Sequence, residues 1–219
     1  MASTMSLRQR YLQLALISVA GGAIYPLVYM RQNFELSMLE AFGISAAELQ
    51  SCYAILGALF LLTYLPSGWL ADRFRLRYLI AGSLLATGLI GIWFATFPPL
   101  DQVRLIFIGW GLSSGLTFWA AMIKAVSLIA PLSAQGRFFG WLEGGRGAVE
   151  ALLASLAVGL FALLLARSEM LVGSALQVVI WLYAGFSIAV AWPVLNWLND
   201  DEAPSSQSAK EKAEPRALM

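Results

Sequence analysis

Six apolar segments dominate this chain, and each has the ~20 residues that a helix needs to cross a ~30 Å hydrocarbon core. They run over about 11–30 (continuing past Arg31), 51–70, 78–97, 105–125, 138–166 and 175–198. Segments this long leave little room for any other fold class. The chain is therefore expected to be an all-α membrane protein, a bundle of six transmembrane helices over residues 1–199. Composition agrees: 59% of residues are hydrophobic and only 12% are charged, against roughly 45–50% and ~25% in soluble domains.

The breaks between segments carry their own chemistry. Ser45 and Glu48 have capping-box spacing at the start of the second segment, where each side chain can satisfy a free backbone N–H. Pro98 and Pro99 close the third span and Pro131 closes the fourth, because proline cannot donate to a helical ladder. Cations set the expected orientation. Arg8, Arg10, Arg73, Arg75, Arg77, Lys124, Arg137, Lys210, Lys212 and Arg216 fall on one side, and only Arg31, Arg104 and Arg167 on the other. Both termini are thus expected in the cytoplasm, in a multi-pass cell (inner or plasma) membrane protein. The first segment lacks a small-residue cleavage site and reads as a span, not a removable signal peptide. Residues 200–219 turn polar and read as a disordered cytoplasmic tail or a linker.

Several function classes drop out. A net charge of +1 gives no field for nucleic acid. The chain has no histidine and one cysteine, Cys52, so histidine ligation, histidine bases and CxxC sites are absent. No enzyme, metal or cofactor is expected. The partners expected are the lipid bilayer and a solute.

Between the second and third spans the sequence reads SGWLADRFRLRYLI. This resembles the loop motif of the major facilitator superfamily, G-x-L-A-D-R-x-G-R-[RK]. Gly68, Leu70, Ala71, Asp72, Arg73 and Arg77 fit, whereas Arg75 stands in place of a glycine and Leu76 in place of a basic residue. The resemblance implies a cytoplasmic gate built on Gly68, Asp72, Arg73 and Arg77, in which Asp72 pairs with arginines or accepts from helix N-terminal N–H groups. Topology alone is the other account of the arginines. It does not account for Asp72.

The first span ends in IYPLVYMRQNF, similar to the first helix of that superfamily's organophosphate and organic-anion branch. The match rests on Arg31, Asn33 and Phe34, with Tyr25 in the preceding tyrosine-rich stretch. It implies that Arg31 binds the anionic group of the substrate. The physics agrees, because an intramembrane guanidinium costs about 2.5–3.5 kcal/mol on insertion scales and belongs beside a partner or a wet cavity. The alternative is that Arg31 ends the span and pairs with Glu35.

The fifth span carries Glu143, Arg146 and Glu150 at i, i+3 and i+7, within about 60° of one another on a helix. Arg146 lies ~14 Å beyond Arg137 along the axis, near the bilayer middle. Charges at that depth mark a functional site. The resemblance implies a cationic substrate-binding residue here, and the flanking acids make Glu143 or Glu150 a candidate proton or charge relay. A self-neutralising packing triad is the alternative. The surrounding glycines, Gly140, Gly144, Gly145 and Gly147, read as close-packing positions.

On the fourth span Ser113, Thr117, Ala120 and Lys124 share a face at α-helical spacing. Lys124 is a further candidate for the anion, or an interfacial anchor. Trp119 is a candidate for stacking on the solute, as are Trp110 and Trp141, with core packing as the alternative.

These residues together lead to secondary active transport of a small organic anion by alternating access, with a phosphorylated or acidic sugar derivative in view. The chain corresponds to the N-terminal six-helix half of a twelve-helix transporter. A second half is then an expected partner, either another chain or a homodimer copy. The other class left open is a non-transporting membrane scaffold or assembly subunit that retains the half-fold.

Overall fold

In a computed structural model that describes residues 5–168 and 170–199, every long element is helical. The helices are α1 (Leu7–Val28), α2 (Arg31–Phe42), α3 (Ala46–Arg73), α4 (Leu76–Phe94), α5 (Leu100–Trp110), α6 (Trp119–Ile129), α7 (Gln135–Ser168) and α8 (Val172–Trp197). A π-helical turn, Gly111–Leu116, joins α5 to α6. Six spans result: α1 with α2, α3, α4, α5 with α6, α7, and α8. The tail expected over residues 200–219, with its cations, lies outside the described residues.

Two spans differ from the straight helices expected. The first breaks at Tyr29 and Met30, just past Pro26, which has no N–H to offer the Gly22 carbonyl. The chain then resumes as α2, with Phe34 off helical geometry at φ −131°. The fourth span contains the π turn, whose extra residue per turn rotates everything after it. Its buried groups are satisfied from α4. Ser83 donates to the Ser113 carbonyl, the Thr87 and Ser113 hydroxyls lie 2.9 Å apart, and the Trp110 indole donates to the Thr87 carbonyl at 3.2 Å. Ser113 is therefore committed to packing against α4. The face expected from Ser113, Thr117, Ala120 and Lys124 is replaced by Gly115, Trp119, Ala120, Ile123, Lys124 and Ser127.

The loop between α3 and α4 is only Phe74 and Arg75, both in extended conformation, with Arg75 at φ −65°. The missing glycine costs nothing because no left-handed residue is required there. The Ser45 and Glu48 capping box forms as expected.

The helices alternate in direction, so the basic positions near residues 10, 73–77, 124 and 137 gather at one end. There Gln13 donates to the Trp197 carbonyl at 2.8 Å and accepts from the Asn199 N–H at 2.9 Å. Arg10 reaches the Ile129 carbonyl. Two apolar clusters stack along the bundle. One lies near this end around Leu14, Leu76 and Met122, and the other lies beyond it around Phe94, Phe107 and Tyr183. Helix α1 is buried among α4, α6, α7 and α8. Helices α3 and α7 have the smallest buried share of the six spans, and their uncovered faces are suited to lipid chains or another protein.

Helix α1 approaches α7 closely because α1 supplies the glycines. A Cβ on Gly22 would stand 2.5 Å from the Val149 Cβ and 2.8 Å from the Arg146 carbonyl oxygen. Of the four glycines expected to pack on α7, only Gly145 meets a neighbour, Ser18 at 3.0 Å. Gly140, Gly144 and Gly147 face open space. Small residues on one partner suffice for such a crossing.

Candidate anion-binding site

The α1–α7 crossing delivers Arg146 to the aromatic face of α1. Its Cζ lies 4.7 Å from the Tyr25 ring centroid and 5.6 Å from that of Trp119 on α6. Both rings present a negative face to the guanidinium, and they meet each other edge-on at 5.8 Å. On its own helix, Arg146 Nη2 donates to Glu143 Oε2 at 2.6 Å, while Glu150 Oε2 stays 4.0 Å from Nη1. The side chain is 17% exposed, against 53% for Glu143. Its Nε is buried and makes no hydrogen bond. The triad expected from the spacing is thus assembled, but unevenly: one oxygen of one glutamate holds the guanidinium, and the second glutamate stands off at 4.0 Å.

Arg31 sits elsewhere on the same aromatic system. Tyr25 stacks on Tyr29 at 5.2 Å, Tyr29 meets Tyr53 of α3 at 6.5 Å, and Arg31 Cζ lies 4.8 Å over the Tyr53 ring. The Arg31 Nη1 donates to Gln50 Oε1 at 2.6 Å. Glu35 does not pair with Arg31. Among the described residues, no carboxylate comes within ion-pair distance of Arg31. The two arginines therefore stand at the ends of one ladder of three tyrosines, Arg146 neutralised by an acid and Arg31 by none. The Tyr25 and Tyr29 spacing is visible in the sequence. The participation of Gln50 and Tyr53 is not, because it depends on how α3 packs.

Asp72 pairs with a lysine, not with the arginines expected. Lys124 Nζ donates to Asp72 Oδ1 at 2.8 Å and to the Ala71 carbonyl at 2.9 Å. The Lys124 ammonium is thereby drawn into the motif that was expected to gate, away from Arg146. Arg73 and Arg77 lie over aromatic neighbours, Trp69 at 4.2 Å and Tyr78 at 5.0 Å. Gly68 lines a groove of about 810 Å³ between α3 and α6, together with Asp72, Trp119 and Lys124.

The remaining candidates separate by burial. Trp110 is fully buried in the core, whereas Trp141 is 63% exposed on the outer face of α7. Cys52 is a buried thiol. Arg104 pairs with Asp101 at 3.1 Å.

Comparison with known proteins agrees with this architecture. Residues 12–219 match the family described as Major Facilitator Superfamily. The chain is 37% identical over 139 residues to inner membrane protein YqcE of Escherichia coli K12, covering 64% of this chain and 33% of that protein. It is 29% identical over 208 residues to inner membrane protein YihN of the same organism, covering 93% and 48%. An uncharacterized MG294 homolog of Mycoplasma pneumoniae is 29% identical over 167 residues, covering 68% and 35%. The chain spans about half or less of the length of these relatives.

Proposed function

Since the chain belongs to the major facilitator superfamily, we propose that it serves secondary active transport of a small organic anion by alternating access. It supplies one six-helix half, and a second half completes the pathway. The basic end of the bundle faces the cytoplasm, in the inner membrane, where the two Escherichia coli relatives are named as residing.

The observation that carries this reading is Arg146. A guanidinium in the middle of an apolar helix, laid over Tyr25 and Trp119 with one buried nitrogen unpartnered, is costly in lipid. It is suited to an anion that can take two of its N–H groups at once. Arg31, with no acid beside it, offers a second positive station along the tyrosine ladder. The bond from Lys124 to Asp72 ties α6 to the end of α3. It can close the basic end in one state and release it in the other.

The test is anion-dependent thermal stabilisation of the purified chain across sugar phosphates, aryl phosphates and sulfonates, repeated with Arg31→Ala and Arg146→Ala. A ligand that raises the midpoint of the wild type and loses roughly tenfold in affinity with either variant supports the assignment. Equal stabilisation of the wild type and both variants, or none by any anion, ends it.

A further inference from the structure

Arg146 speaks to the charge of the solute, and the groove next to it speaks to the body. Trp119 belongs to both. It lies under the guanidinium and it lines the 810 Å³ groove, whose size falls within the roughly 300–1,000 Å³ typical of small-molecule sites. Phe60 and Trp119 also line the small recess beneath Tyr25 and Tyr29, so these two side chains are shared by the groove and the tyrosine ladder.

The groove is mostly apolar and offers few polar groups to a hydroxylated solute. Its walls are Phe60, Tyr64, Gly115, Trp119, Ala120 and Ile123. The Ser67 hydroxyl donates to the Tyr64 carbonyl and the Ser127 hydroxyl to the Lys124 carbonyl, both at 2.8 Å. Lys124 binds one oxygen of Asp72, which leaves the other as the main open acceptor of the groove. A sugar body would lose water at each hydroxyl and gain few partners, which works against binding. An apolar body loses only unfavourable hydration. Lys124 and Asp72 neutralise each other across the groove, so the groove itself brings no net charge to the body of a solute.

We infer that this site takes an amphiphilic anion, one phosphate, sulfonate or carboxylate head at Arg146 and an aromatic or branched apolar body in the α3–α6 groove. This rests on the anion reading of Arg146 and replaces the sugar derivative with a different substrate class.

The test compares three probes on the purified full chain by calorimetric titration: inorganic phosphate, phenyl phosphate and glucose 6-phosphate. Phenyl phosphate binds roughly tenfold or more tightly than glucose 6-phosphate. Ala120→Phe fills the groove from a half-buried position at the edge of the core. It weakens phenyl phosphate by about tenfold and leaves inorganic phosphate within about twofold. Ile123→Ser strips apolar wall without adding bulk and weakens phenyl phosphate alone by roughly threefold. Glucose 6-phosphate binding as tightly as phenyl phosphate, and in an Arg146-dependent way, overturns the substrate class while the anion reading stands. Phenyl phosphate affinity unmoved by both groove variants overturns it too. If none of the probes binds through Arg146, the anion reading itself fails and takes this inference with it.

Discussion

Arg146, midway along α7, rests over the ring of Tyr25, with its Cζ 4.7 Å from the ring centroid. The contact joins the last turns of α1 to the charged stripe of α7, and it exists because Gly21 and Gly22 let the two backbones approach. A cation over a ring contributes about 0.5–2 kcal/mol depending on how dry the contact is.

Tyr25→Leu is expected to lower stability by about 1–2 kcal/mol, whereas Tyr25→Phe, which keeps the ring, changes it by less than about 0.5 kcal/mol. Unfolding in mixed detergent micelles measures both. Equal losses in the two variants would show that the hydroxyl, not the ring, supports Arg146.

Gly22→Ala places a methyl 2.5 Å from the Val149 Cβ and 2.8 Å from the Arg146 carbonyl oxygen. Backbone cannot give way cheaply, so a loss of roughly 1–3 kcal/mol is expected. Gly147→Ala meets nothing within 4 Å. It should be neutral, or stabilising by up to about 1 kcal/mol from helix propensity. Thermal midpoints of the two variants decide the matter, and similar losses would contradict the crossing described.

That contrast shows what the sequence could and could not tell. The six spans were legible from segment length alone, and the Glu143–Arg146–Glu150 stripe from helical periodicity, because both are local properties of one helix. Which glycines pack was not legible. Gly140, Gly144 and Gly147 look like packing positions, but the approach is made by Gly21 and Gly22 on the partner helix. The same limit misplaced the partner of Asp72, since Lys124 lies 52 residues away on α6 and nothing local links them. The π turn hid the true groove face of the fourth span. One extra residue in a turn moves Ser113 inward and brings Trp119 and Ile123 to the groove, and α-helical spacing cannot anticipate that.

The bond between Lys124 and Asp72 should behave as a separable pair. Asp72 is 72% exposed at its side chain and Lys124 is 20% exposed, so the coupling in a double-mutant cycle is expected near 0.5–1 kcal/mol, not the larger value of a fully buried pair. Asp72→Lys and Lys124→Asp should each destabilise the chain. Combined, they should recover most of the loss. A double variant no better than the sum of the singles would mean that Lys124 acts mainly through the Ala71 carbonyl.

Glu143 is the group an incoming anion must displace. It occupies Arg146 Nη2 at 2.6 Å with one oxygen, Glu150 stands at 4.0 Å, and the Arg146 Nε has no partner. A phosphate or sulfonate that takes the two terminal nitrogens, Nη1 and Nη2, forms two charge-assisted bonds where Glu143 forms one, but it has to compete with that carboxylate first. Glu143→Gln removes the competing charge and keeps the shape, so phenyl phosphate and inorganic phosphate should both bind more tightly, by roughly tenfold, or about 1.4 kcal/mol. Glu150→Gln should change affinity by less, because its carboxylate is farther from the guanidinium. The cost in stability for Glu143→Gln stays below about 1 kcal/mol, since the carboxylate is half exposed and screened. Calorimetric titration of both variants beside the wild type separates a competitor from a structural brace: a brace loses affinity when neutralised, because Arg146 is no longer held in place, whereas a competitor gains it.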